Sequence, residues 1–107
     1  MNKYRNEIQV ELNGAKYLLR PTFTCLSEIE DFLSMSIFQF MAVVMAGQMK
    51  MKQAFFIFDC GIKAAGGTVT KDELQQNMSE GGLNQVIQAI NDFLVAATKS
   101  GDLAKKN

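Results

Sequence analysis

The residue types that usually perform chemistry in proteins are sparse in this sequence. Histidine is absent, which removes the usual general base near neutral pH, the usual activator of a serine or cysteine nucleophile, and the commonest transition-metal ligand. Cys25 and Cys60 are far apart in the chain and lack CxxC spacing. This spacing fits two reduced, buried, structural cysteines better than a zinc site or a disulfide framework. We therefore predict no metal and no cofactor.

The remaining polar clusters do not indicate an enzyme either. One cluster of carboxylates could in principle supply a general acid and a general base: Glu28, Glu30 and Asp31. At helical spacing and without a partner group, such a run is usually a solvated helix face. Glycines at positions 61, 66 and 67 match neither a phosphate-binding loop nor a GxGxxG motif, and they are interpreted as helix ends. We predict that the protein has no catalytic residues.

Methionine is concentrated in one part of the chain. Met41, Met45 and Met49 follow i, i+4, i+8 spacing, and Met35 and Met51 lie close by in sequence. Methionine is common on surfaces that re-pack around different partners, so the segment could form an adaptable binding surface. At helical spacing, methionines are more often core residues, and this alternative stays open.

Composition indicates one globular domain over residues 1–107. The 107-residue chain is 48% hydrophobic and 21% charged, which is ordinary for a folded protein of this size. Eleven basic residues balance eleven acidic ones, so no long-range field favours nucleic acid. We find no stretch long enough to span a membrane and no secretory signal, and we expect a cytoplasmic protein that binds neither membrane nor nucleic acid.

The first 21 residues predict a β-hairpin. Tyr4, Ile8, Val10 and Leu12 alternate with polar residues before Asn13-Gly14, a pair that tolerates the positive φ angles of a type I′ turn. The return strand ends at the only proline, Pro21, which lacks the N–H donor that a ladder needs. A two-stranded sheet is marginal by itself, so helices must cover its apolar side.

Residues 22–99 are predicted to be helical, with a flexible tail at 100–107. Capping residues and apolar spacing predict five segments: Thr22 or Thr24 to near Ser34, Ile37 to about Ala46, about Lys52 to Ala65, Thr70 to about Met78, and Leu83 to about Thr98. The first segment would bury Phe23, Leu26, Ile29 and Leu33. The fold class is mainly α (α+β), with an N-terminal two-stranded hairpin followed by four to five short helices in one small domain.

Two features point to an apolar binding surface. Apolar residues cover more than half the circumference of the second helix, which is too wide for a simple surface helix. Phe56 falls in the polar arc of the third helix, an odd place for an aromatic ring unless the hairpin, another helix or a partner covers it. The candidate protein-binding residues are Phe38, Met41, Met45, Met49 and Phe56.

The sequence also resembles a known family. A hairpin is followed by Leu19-Arg20-Pro21-Thr22-Phe23 and by the helix start Leu26-Ser27-Glu28-Ile29-Glu30. This order is similar to that of the tail assembly chaperone-like proteins of tailed phages and gene transfer agents. The resemblance implies a phage or prophage protein that binds the tape-measure protein, keeps its apolar segments soluble and gives way to tail-tube subunits. It also makes a homo-oligomer a reasonable expectation.

Two alternatives of another class stay open. One is a structural tail component, either a tube or a connector subunit, which would remain in the mature particle. Tube subunits usually need a larger β-sheet than one hairpin offers, so the predicted helix content favours the chaperone. The other is an unrelated small protein-interaction module.

Overall fold

The computed structural model describes residues 7–99 as one hairpin followed by five helices. The predicted mainly helical α+β fold is thereby confirmed. The elements are β1 (Ile8–Leu12), β2 (Ala15–Leu19), α1 (Phe23–Leu33), α2 (Ile37–Met45), α3 (Met51–Ala64), α4 (Lys71–Gly81) and α5 (Leu83–Thr98). Tyr4 and the predicted flexible tail at 100–107 lie outside the described residues.

The hairpin has the predicted turn. Strands β1 and β2 are antiparallel, with Ile8 opposite Leu19 and Leu12 opposite Ala15. Asn13 and Gly14 both have positive φ angles, 54° and 82°, as a two-residue type I′ turn requires. Alternate residues of β1 face the helices, because Val10 and Leu12 are buried whereas Gln9 and Glu11 are exposed.

The hairpin and all five helices share one apolar core. Strand β1 packs against α5 and β2 packs against α3, while α1 lies on α3 and α2 lies on α5. The largest fully buried side chains come from both strands and all five helices: Phe40, Phe58, Phe93, Leu12, Leu19, Ile29, Ile57, Leu74, Ile90, Leu94 and Val86. The described helices and hairpin therefore form a single packing unit.

Side-chain caps define where three helices begin. The Thr22 hydroxyl accepts a hydrogen bond from the Cys25 N–H at 3.1 Å, and Ser36 and Gln39 cap each other reciprocally at 3.0 Å. Thr70 accepts from the Glu73 N–H at 3.1 Å. These bonds satisfy N–H groups that have no partner inside the helix, which explains why the sequence predicts these starts well.

Three predictions about side chains and helix ends differ from the structure. Phe23 was expected in the core, but 73% of it is exposed, because the buried side of α1 centres on Leu26, Ile29 and Leu33 and the first helical residue lies off its edge. Gly61 was interpreted as a helix end, but it lies inside α3, where Leu19 of the hairpin packs directly against it. Helix α4 also continues to Gly81, beyond the expected end near Met78.

Among the described residues, no helix is long and apolar enough to cross a membrane.

Candidate protein-binding site

Helix α2 has an exposed apolar side. Ile37, Phe40 and Val44 are buried and hold the helix on the core, and Phe38 and Met45 lie roughly a third of a turn from the centre of that buried side. Phe38 is 63% exposed and Met45 is 83% exposed. Met41 lies between the two sides and is half-buried. We call Phe38, Met41 and Met45 the α2 face.

The α2 face is uncharged. Helix α2 has the sequence IFQFMAVVM, which contains no Lys, Arg, Asp or Glu. An exposed apolar strip of this kind can pack against another protein surface without the cost of burying a charge.

Met49 belongs to the linker between α2 and α3. It is half-buried and packs against the core, so its structural environment differs from that of Met45. The structure therefore separates Met49 from Met41 and Met45, although the three share one spacing in the sequence. Whether these residues bind a partner is still a prediction.

Phe56 is covered by another helix. Its ring stacks on that of Phe32 from α1, with ring centroids 4.2 Å apart and ring planes 5° apart. Stacked aromatic pairs contribute about 0.5–1.5 kcal/mol beyond their buried area. The unusual position of Phe56 in the sequence pattern is thus explained by a contact between α1 and α3, although the pair stays partly open to solvent.

The stacked pair forms one side of a groove between α3 and α4. The groove has a volume of about 620 Å³, within the range of roughly 300–1,000 Å³ that is typical of ligand-binding pockets. We call it the α3–α4 groove, and its lining residues are Phe32, Met51, Lys52, Phe55, Phe56, Lys71, Gln75, Met78 and Ser79. Its aromatic and methionine side chains give it an adaptable apolar surface.

Positive charge lies along this apolar groove. Among residues 7–99, Lys52 and Lys71 are the charged residues that line it, and none of the carboxylates in that range does. Neither lysine forms an ion pair with another residue in the range 7–99. The groove therefore presents two exposed ammonium groups beside aromatic side chains.

Of the five sequence candidates, the groove contains only Phe56 among its lining residues. Phe38, Met41 and Met45 form the separate α2 face, and Met49 joins neither surface. Phe32, Phe55 and Met78 were missed because their grouping depends on how α1, α3 and α4 pack. Met51 had a signal in the sequence, since it belongs to the methionine cluster.

A second, smaller groove of about 470 Å³ lies on the other side of Phe56 and contains both cysteines. The Cys60 thiol lies 3.8 Å from the Glu28 carboxylate. A hydrogen bond to Cys60, burial and the charge of Glu28 raise the pKa of Cys25. The hydrogen bond with Cys25 lowers the pKa of Cys60, although burial and the charges of Glu28 and Asp59 act in the opposite direction. Cys25 is buried as predicted, whereas Cys60 is only half-buried.

Chemically, these surfaces are suited to contact with other macromolecules. Within residues 7–99, no group of three or more His, Cys, Asp or Glu side chains could hold a metal ion. The fold and its surfaces define a small, mainly helical domain with one uncharged apolar helix face and one lysine-bordered apolar groove.

Comparison with known families places this domain among phage tail proteins. Residues 5–100 match the family described as phage tail tube protein, GTA-gp10. Because the match spans nearly the whole chain, the protein belongs to this family. The predicted link to phage and gene transfer agent tails is thus confirmed at the level of the family, whose description is that of a tube protein. No curated protein sequence and no solved structure matches the chain.

Proposed function

We propose that this protein is a non-catalytic structural component of a phage or gene transfer agent tail. The observation that carries the proposal is the match of residues 5–100 to a tail tube protein family. A structural component needs surfaces that join it to its neighbours. The α2 face and the α3–α4 groove supply two such surfaces on different parts of the molecule.

The α2 face is suited to contact between copies of the chain. Because α2 contains no charged residue, two copies of this face can pack together without burying an unpaired charge. Symmetric contacts of this kind are the commonest basis of homo-oligomers. The α3–α4 groove, with its two lysines, is left for a different tail protein.

The location of the protein in mature particles tests this proposal. Purified particles are digested and analysed by quantitative mass spectrometry, and an epitope-tagged copy is located by immunoelectron microscopy. A structural component is expected in particles at a fixed ratio to other tail proteins, with label on the tail. Absence from particles that are otherwise complete would contradict the proposal.

The second candidate function is a tail assembly chaperone that binds the tape-measure protein and tail-tube subunits. Two observations favour it: the exposed side chains of the α2 face, and a described sheet of only two five-residue strands, which is small for a tube subunit. A chaperone would be missing from mature particles but would co-purify with the tape-measure protein from cells that are assembling tails. Deleting its gene would leave no tails, although the protein itself never enters one.

A further inference from the structure

We propose that the α3–α4 groove binds an amphipathic helix of another protein, and that carboxylates flank the apolar ridge of that helix. The inference rests on the proposed function, because it names the kind of partner that a tail protein would hold at this groove. It goes further by fixing the charge pattern of the partner.

The shape and lining of the groove fit a helical ridge. Three helices contribute to its walls, with Phe32 from α1, Phe55 and Phe56 from α3, and Met78 from α4. A groove between helices with an aromatic and methionine surface is a common site for the apolar side of a partner helix. Flexible methionine side chains, Met51 at the edge and Met78 at the base, let the groove adapt to the ridge.

The two lysines of the groove favour acidic residues on both sides of that ridge. Lys52 and Lys71 line the groove without a carboxylate partner within residues 7–99. Both belong to the first turn of a helix, since α3 begins at Met51 and α4 at Lys71. The positive ends of two helix dipoles therefore lie at the same groove as the two ammonium groups. Asp72 and Glu73 also occupy the first turn of α4, but they do not line the groove.

The same argument makes the α2 face of a second copy a poor occupant. Helix α2 has no carboxylate, so its insertion would partly dehydrate Lys52 and Lys71 without pairing them. Dehydrating an unpaired charge is unfavourable. A helix with Glu or Asp on both sides of its ridge would instead form two charge-assisted hydrogen bonds as it enters.

A pair of labelled helical peptides tests the proposal with the full chain. Both peptides have the same Leu and Phe ridge at i, i+3, i+4 and i+7, and the flanking positions are Glu in one and Lys in the other. Fluorescence anisotropy is expected to show at least tenfold tighter binding of the Glu peptide at low ionic strength. The difference should shrink as salt is added, because the flanking charges are screened.

Charge-reversed variants assign the effect to the groove. In Lys52→Glu/Lys71→Glu, the preference should reverse in favour of the Lys peptide, while circular dichroism shows an unchanged helix content because both lysines are exposed. The matched control, Lys16→Glu/Lys99→Glu, changes two exposed lysines that do not line the groove and should keep the original preference.

Equal affinity for both peptides would overturn the inference, and so would a preference that Lys52→Glu/Lys71→Glu leaves unchanged. A concentration-dependent dimer that the groove variants dissolve would also overturn it, because a second copy would then be the occupant. Failure of the proposed function has a different signature, namely absence of the protein from mature particles while the peptide preference is retained.

Discussion

Phe38 and Phe40 are two residues apart on α2, yet they have opposite environments. Phe40 is fully buried, whereas Phe38 is mostly exposed. Two positions along an α-helix correspond to a rotation of about 200°, so one ring faces the core and the other faces away from it. A substitution at Phe40 should therefore affect mainly the stability of the fold, whereas one at Phe38 should affect mainly contacts at the surface.

At the residue scale, Phe38→Glu should leave the fold intact and Phe40→Ala should not. The glutamate would lie in the first turn of α2, where a negative charge is favourable. The free energy of unfolding of the Phe38→Glu variant should therefore stay within about 1 kcal/mol of the wild-type value. Phe40→Ala removes a fully buried ring and should cost about 3–5 kcal/mol. Urea denaturation followed by circular dichroism measures both.

Gln39→Glu is the matched control for Phe38→Glu. It adds a carboxylate to the same first turn, on an exposed residue outside the α2 face, and a glutamate there can still cap Ser36. If Phe38→Glu unfolds the protein while Gln39→Glu does not, then Phe38 is a core residue and the α2 face does not exist as described.

The two cysteines should react at different rates. Cys60 is half-buried, and the hydrogen bond from Cys25 lowers its pKa, whereas that hydrogen bond and burial raise the pKa of Cys25. Because the thiolate is the reactive form, iodoacetamide should modify Cys60 first at neutral pH. Peptide mapping after timed alkylation would contradict this if Cys25 reacted first.

Local spacing predicts part of the candidate site. It places Phe38 and Met45 on a helix that is too apolar to be covered on all sides, and the structure shows both side chains exposed. It also marks Phe56 as unusual. It cannot predict that Phe56 stacks on Phe32, because that contact depends on the packing of α1 against α3. For the same reason, nothing in the sequence indicates that Lys52 and Lys71 line one groove.

At the scale of elements, polar contacts at one end of the hairpin hold it on α4 and α5. The Asn13 N–H donates to Gln85 at 2.7 Å, and the Asn13 side chain donates to Asn77 and Glu80. Farther along β2, the Tyr17 hydroxyl accepts from Asn77 at 2.7 Å. These bonds fix the position of the turn, which the apolar contacts of β1 alone would leave less defined.

Tyr17→Phe should weaken this attachment in a pH-dependent way. The hydroxyl accepts from Asn77 and donates to Glu73 at 3.3 Å, and its removal should cost about 1 kcal/mol at pH 8. Burial raises the pKa of Tyr17 above its ordinary value of 10.0. The stability gained from the neutral phenol is therefore complete below pH 10 and is lost as pH rises through the raised pKa.

The difference between wild type and Tyr17→Phe should accordingly shrink between about pH 8 and pH 11. Urea unfolding at both pH values measures it. A difference that grows with pH would show that the ionised phenol, and not the neutral one, is preferred in the folded state.

Gly61→Ala should destabilise the packing of β2 on α3. An added Cβ would lie 3.1 Å from both Cβ and Cδ2 of Leu19 and 3.3 Å from the Phe93 ring. The Arg20 N–H donates to the Gly61 carbonyl at 3.1 Å, which holds this part of β2 close to the helix. The gain of about 1 kcal/mol in helix propensity should be outweighed by overpacking, which typically costs about 1–3 kcal/mol.

A double-mutant cycle checks the cause of this loss. In a Leu19→Ala background the Cδ2 atom is absent, so Gly61→Ala should cost less there than in the wild type. Equal costs in the two backgrounds would mean that Cδ2 of Leu19 is not the obstacle, which would leave the Cβ of residue 19 and the Phe93 ring as the close contacts.

Helix starts and the hairpin turn are predicted accurately because they depend on residues that are close together in the sequence. The starts of α1, α2 and α4 depend on side chains three residues from the N–H groups they cap. The sequence predicts the starts of α2 and α4 and limits that of α1 to Thr22 or Thr24. The hairpin turn depends on Asn13 and Gly14 alone. Gly61 was misinterpreted because its role is set by Leu19, a residue of a different element.

At the scale of the whole molecule, a chain with a formal net charge of zero still has two surfaces of different electrostatic character. The α2 face has no charge, and the α3–α4 groove is lined by two lysines and by no carboxylate from the described part of the chain. No residue belongs to both surfaces. Because the two surfaces are separate, contact with a second copy of the chain at one of them leaves the other open for a different protein.

This separation predicts independent effects on self-association and on helix binding. Phe38→Glu should abolish any oligomer seen by size-exclusion chromatography with light scattering, because two copies of the α2 face would then bury like charges. It should leave the affinity for the Glu-flanked peptide within about twofold, a change of roughly 0.4 kcal/mol. Lys52→Glu/Lys71→Glu should leave the oligomer intact and weaken binding of the Glu-flanked peptide. Gln39→Glu should change neither property. If instead one variant reduced both properties, the two surfaces would be parts of a single interface, and the same helix face would have to serve both partners in turn.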